Sequence, residues 1–128
     1  MANPDELEGR RFLVVEDEYF IAVDLVVTLE ALGVEVAGPA ASVKEALQLL
    51  ERGDHLDGAV LDINLRNERV YPVAEVLRSR RVPFVFTTGY DAAVVPSAYA
   101  DVPRCEKPVD ERRLVRCLRE ARVAHYPR

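Results

Sequence analysis

Short apolar runs alternate with segments of helical spacing along most of the chain, and this alternation restricts the fold more than any single residue does. Strand-like runs joined through helix-like segments put the strands parallel, each helix crossing back over the sheet. Residues 12–15 (FLVV) make a first strand. Residues 18–32 carry Ile21, Leu25, Leu29 and Leu32 on one helical stripe and stop at Gly33, a glycine terminator. A second strand follows at 34–37. Ser42 and Glu45 have the S-x-x-E spacing of a capping box, which opens a helix running through Leu47, Leu49 and Leu50 towards Gly53. Residues 59–61 are a third strand. Pro72 delays the next helix to 73–80 and leaves 66–71 as a loop. Residues 82–86 are apolar without alternation, as expected of a strand buried on both faces. Pro96 and Pro103 confine a fourth helix to a short piece, 104–106 is a weak last strand, and Leu114, Leu118 and Ala121 mark a last helix over 110–124. The expectation is an α/β domain of five strands and five helices.

The 128 residues suffice for one domain. An arm at 1–10, a domain at 11–124 and a tail at 125–128 are the expected divisions. Seventeen Lys and Arg against twenty-two Asp and Glu give a net charge of -5, without the basic excess that drives binding to nucleic-acid phosphates. No apolar run approaches the ~20 residues of a membrane span. The acidic, polar start is the reverse of a secretory signal, so a cytoplasmic location is expected. Cys105 and Cys117 have no CxxC spacing and read as reduced packing residues. His55 and His125 lack sequence partners for zinc or triad chemistry and read as solvated.

Ligands of an open parallel sheet bind beyond the carboxyl ends of its strands. Here the first strand ends in Glu16-Asp17-Glu18 and the third in Asp62, followed by Ile63 and Asn64. Carboxylates gathered from neighbouring strands repel one another unless a hard cation joins them, and Mg²⁺ takes oxygen ligands of this kind. The fourth strand ends in Thr87-Thr88-Gly89 and the fifth in Lys107-Pro108. A hydroxyl and an ammonium facing a metal-bound carboxylate suit a transferred phosphoryl group, whose oxygens need donors and positive charge. An aspartate can itself be the nucleophile, and Asp62 is placed for it. Taken singly these features have plainer readings: a helix N-cap, a polar strand end, a turn. Their joint order along the chain favours one site.

With these motifs the chain resembles the receiver domain of bacterial two-component response regulators over about residues 11–123. The resemblance implies a flavodoxin-like (βα)5 doubly wound fold with strand order 2-1-3-4-5. It makes Asp62 the phosphoacceptor, supplied by a histidine kinase or a histidine phosphotransfer protein. It makes Asp17 a direct Mg²⁺ ligand, Glu16 a ligand through water, and Asn64 the donor of a backbone carbonyl. Thr88, followed by Gly89, matches the switch hydroxyl, Lys107 the phosphoryl-contacting lysine, and Lys107-Pro108 a cis bond. Residues 86–90 (FTTGY) also resemble the F-A-T-G motif of a receiver subset nicknamed FAT GUY, with Thr87 in place of Ala. That subset implies a stress or developmental signalling role. The family's aromatic three positions before the lysine is here Arg104, so Tyr90 and Tyr99 are the candidates for a switch aromatic.

The resemblance implies a non-enzymatic signalling protein, monomer or weak dimer, that acts on a downstream protein partner. A single-domain regulator is expected. The alternative is an adaptor of receiver fold that works without phosphorylation, which Arg104 keeps open. An aspartate-dependent phosphatase is disfavoured, because Asn64 stands where a second aspartate would be needed. The first helix carries Phe20, Val23, Val26 and Val27 beyond its buried stripe, which suits either a wide core face or the docking of a histidine-bearing helix. Arg112, Arg116 and Arg119 on the last helix are either a solvated row or a docking face for an acidic partner.

Overall fold

The computed structural model describes residues 7–89 and 95–125, the last three of these by their backbone alone. Five parallel strands make the sheet: β1 (Arg11–Val15), β2 (Glu35–Ala40), β3 (Gly58–Asp62), β6 (Phe84–Thr88) and β7 (Arg104–Glu106), in the order β2-β1-β3-β6-β7. This is the 2-1-3-4-5 order of a flavodoxin-like sheet. Two further strands, β4 (Asn64–Leu65) and β5 (Glu68–Arg69), form a small antiparallel hairpin. The helices are α1 (Tyr19–Ala31), α2 (Val43–Glu51), α3 (Tyr71–Ser79) and α4 (Glu111–His125).

The sheet sorts its side chains by strand alternation. Leu13 and Val15 of β1 join Ala59 and Leu61 of β3 and Phe84 and Phe86 of β6 on the face covered by α2 and α3. Phe12, Val14, Val60 and Val85 point the other way, against Leu25 and Leu29 of α1 and Leu114 and Leu118 of α4. Every residue of β3 and β6 is buried, as expected for central strands covered by helices on both sides.

Several local expectations are corrected. The fourth helix is a single 3-10 turn, Ser97–Tyr99, among the described residues. The helix expected from Val73 starts at Tyr71, with Pro72 in its first turn, where a missing N–H costs nothing. The loop expected at 66–71 holds the turn of the β4-β5 hairpin, through Asn67 at φ 64°, and its second strand, while the first strand precedes it. Strand β6 runs to Thr88 rather than ending at Phe86, and β2 runs to Ala40. The capping box of α2 forms: Ser42 Oγ accepts from the Glu45 N–H at 3.1 Å, while Glu45 Oε1 accepts from the Ala41 N–H at 2.9 Å. Gly33 ends α1 at φ 86°, its N–H bonded to the Glu30 carbonyl. Cys105 and Cys117 are buried and free.

Candidate functional site

The parallel sheet brings the ends of β1, β3, β6 and β7 to one edge. Asp62 closes β3 and is buried. Glu16 follows β1 directly; its N–H bonds the Ala40 carbonyl at 2.9 Å, and its side chain is fully buried. Lys107 follows β7, and its N–H bonds the Thr88 carbonyl at 2.8 Å, tying the ends of β6 and β7 together. These backbone anchors converge three charged groups. Lys107 Nζ lies 2.9 Å from Glu16 Oε1 and 3.2 Å from Asp62 Oδ1.

One ammonium therefore serves two buried carboxylates. Burial and the neighbouring Glu16 charge raise the Asp62 carboxyl from an ordinary 3.8 to about 7, and Lys107 offsets them only in part. Lys107 itself would be lowered by burial, but its close ion pairs with Glu16 and Asp62 outweigh that and raise it. The two directions agree once the ammonium is seen as shared. Glu16 Oε1, though close to Nζ, has no hydrogen-bond donor aligned on it. Glu16 Oε2 accepts from the Glu18 N–H at 3.0 Å.

Asp17 adds a third carboxylate. Glu16, Asp17 and Asp62 each offer an oxygen, and these lie within 4.8 Å of one another. Asp17 Oδ2 accepts the Arg66 N–H at 2.8 Å, so the turn of the β4-β5 hairpin is tied to this edge. Three clustered carboxylates with one ammonium, one oxygen lacking an aligned donor, and only oxygen ligands suit a hard divalent cation such as Mg²⁺. Asn64, half-buried, donates its N–H to Asp62 Oδ1 at 3.3 Å.

Thr88 is buried at the end of β6, next to Lys107 through the backbone bond above. Thr87 pairs in register with Asp62, and its buried hydroxyl lacks a partner. In the sequence Thr87 stands at the strand end beside Thr88 and in place of the motif's Ala, and no site role falls to it there. Its apolar strand context, FVFTT, was the available signal that it is buried beside β3. Tyr90 lies outside the described residues. Tyr99 sits in a ring cluster: it stacks on Tyr71 at 5.4 Å and meets Phe86 edge-on at 5.9 Å, while the Arg78 guanidinium sits 5.1 Å from its centre. Arg104 is exposed on β7. His55, expected to be solvated, is exposed but pairs with Asp57 at 2.9 Å. Among the described residues no helix is long and apolar enough to cross a membrane.

No protein-family model matches the chain. Among solved structures it is similar to SdrG from Sphingomonas melonis Fr1, with 38% identity and a TM-score of 0.79 over 88% of this chain and 95% of that one. It is also similar to a response regulator receiver protein from Sinorhizobium medicae WSM419, with 25% identity and a TM-score of 0.76 over 94% of this chain and 99% of that one. The transcriptional regulatory protein PdtaR of Mycobacterium tuberculosis is 32% identical over 89 residues, 69% of this chain. The chain spans 43% of the length of PdtaR. The sheet order, the strand-end residues and these likenesses agree, and the chain belongs to the response-regulator receiver family of two-component signal transduction.

Proposed function

We propose that Asp62 accepts a phosphoryl group, in the presence of Mg²⁺, from a phosphohistidine on a histidine kinase or a histidine phosphotransfer protein. In that step a carboxylate oxygen of Asp62 forms the new O–P bond as the P–N bond breaks, and the imidazole nitrogen of the donor keeps the electron pair. The transfer is stoichiometric, so the chain is a phosphoacceptor rather than a turnover enzyme. The observation that carries the reading is the charge imbalance at the strand ends, where, among the described residues, Lys107 alone faces two buried carboxylates with Asp17 beside them. Such a site calls for a cation.

The metal would be held by Glu16, Asp17, Asp62 and the Asn64 carbonyl; Mg²⁺ bound there supplies positive charge to the phosphoryl oxygens. Lys107 would move from Asp62 Oδ1 to a phosphoryl oxygen, and the Thr88 hydroxyl would donate to another. Residues 11–124 form the proposed receiver unit, between an arm at 1–10 and a tail at 125–128. The exposed Tyr19 and Phe20, 72% and 76% accessible beside the acidic edge, suit docking of a partner's helix. Output then passes to a protein partner in the cytoplasm, by contact or by onward transfer. The exposed Arg104 favours a second reading, an adaptor that needs no phosphate, because no aromatic stands at that position on β7.

The test is the intact mass after incubation with Mg²⁺ and acetyl phosphate. The reading expects a gain of one phosphoryl group that is lost with a chelator and absent in Asp62→Asn. No gain, with acetyl phosphate or phosphorylated histidine kinases, moves the weight to the adaptor.

A further inference from the structure

The opposite edge of the sheet holds a cleft that the phosphoacceptor site does not use. Its volume is about 210 Å³, below the ~300–1,000 Å³ of sites for drug-sized ligands, so its occupant is small. The floor is apolar, from Phe12, Gly58, Pro83 and Leu118. Gly58 is essential to that floor. A Cβ there would come within 2.7 Å of the Phe12 ring, so only glycine lets the ring lie across the start of β3. Gly58 and Asp62 are the first and last residues of β3, which puts the cleft about 13 Å along the strand from the acidic edge.

The wall is cationic. Among the described residues, Arg10, Arg119 and Arg122 line it against a single acid, Asp57. Asp57 is already engaged: it accepts the Arg11 N–H at 2.9 Å, meets His55 at 2.9 Å and pairs with Arg10 at 3.6 Å. Arg119 and Arg122, one turn apart on α4, form no ion pair or hydrogen bond among the described residues. Two guanidinium groups beside an apolar floor, in a chain of net charge -5, are arranged for a ligand with an apolar body and an anionic head.

We propose that this cleft binds a small amphipathic acid, its apolar body over Phe12 and Pro83 and its anionic head against Arg119 and Arg122. The site is independent of Asp62, so binding persists in Asp62→Asn whatever becomes of the phosphoacceptor reading.

The experiment follows backbone amide resonances of the whole chain during titration with octanoate, with octylammonium and acetate as probes of charge and chain. Octanoate is expected to shift the amides of Gly58, Leu118 and Ala121 saturably. Octylammonium and acetate are expected not to saturate them. The double variant Arg119→Gln with Arg122→Gln is expected to keep the wild-type circular dichroism and to bind octanoate about tenfold more weakly, as loss of charge-assisted bonds requires. The proposal is overturned by any of three results: no saturable shift, equal response to octylammonium, or shifts centred on the exposed side of α1. Unchanged octanoate affinity in the folded double variant overturns it too.

Discussion

Replacing Asp62 by Asn should make the metal-free protein more stable at pH 8. A carboxyl raised from 3.8 to about 7 by folding is a group the fold prefers protonated. The sign follows: the cost is absent below pH ~4, grows as pH rises between the two values, and is complete above the folded value. At about 1.4 kcal/mol per pH unit the displacement corresponds to ~4 kcal/mol as an upper figure. Asn keeps an oxygen to accept the Asn64 N–H and leaves Glu16 and Lys107 as a one-to-one pair at 2.9 Å. A gain of about 2–4 kcal/mol at pH 8, shrinking to about 1 kcal/mol or less at pH 4.5, is therefore expected. Urea unfolding of both proteins in EDTA at the two pH values measures it. Saturating Mg²⁺ should then stabilise the wild type and not the variant. An Asn variant no more stable than wild type at pH 8, or a gain equal at both pH values, would refute the reasoning.

Three other outcomes are expected. Because a proton on Asp62 competes with the metal, Mg²⁺ affinity should rise by up to about tenfold per pH unit below pH 7 and level off above it; equal calorimetric affinity at pH 5.5 and 8 would speak against this. Gly58→Ala should cost about 1–3 kcal/mol in urea unfolding, since the new methyl meets the Phe12 ring at 2.7 Å with β1 and β3 holding both in place; wild-type stability would show that the ring moves freely. Ser42→Ala removes the acceptor of the Glu45 N–H and should cost about 1 kcal/mol, read as a lower unfolding midpoint.

Much of the fold was legible because its signals are local. The stripe of Ile21, Leu25 and Leu29 with Gly33 after it, and the Ser42-Glu45 box, act within one helix. The sheet order came from resemblance, and the register that pairs Asp62 with Thr87 is observed. What was missed depends on contacts distant in sequence. The β4-β5 hairpin has strands of two residues, too short for any periodicity, and it is held by Asp17 on the Arg66 N–H and by Glu68 capping the Val43 N–H at 3.0 Å. The early start of α3 was hidden by reading Pro72 as a breaker, when a proline in the first turn does not break a helix.

The candidate carboxylates could be picked out at strand ends, but their electrostatics could not. That Glu16 shares Lys107 with Asp62 follows from the parallel order β1-β3-β6-β7, which brings the ends of β1 and β7 within reach of one side chain. The Tyr99 cluster was equally out of view, since Tyr71, Phe84 and Phe86 meet it from two separate elements.

The central claim is that Asp62 is the nucleophile, and the most direct measurement locates the phosphoryl group. After reaction with acetyl phosphate and Mg²⁺, borohydride reduces an aspartyl-phosphate to homoserine, which peptide mass spectrometry can place in the sequence. Homoserine at position 62 and nowhere else is the expected result. Homoserine at position 17 or at another carboxylate, with position 62 still aspartate in a protein that has gained phosphate, would contradict it.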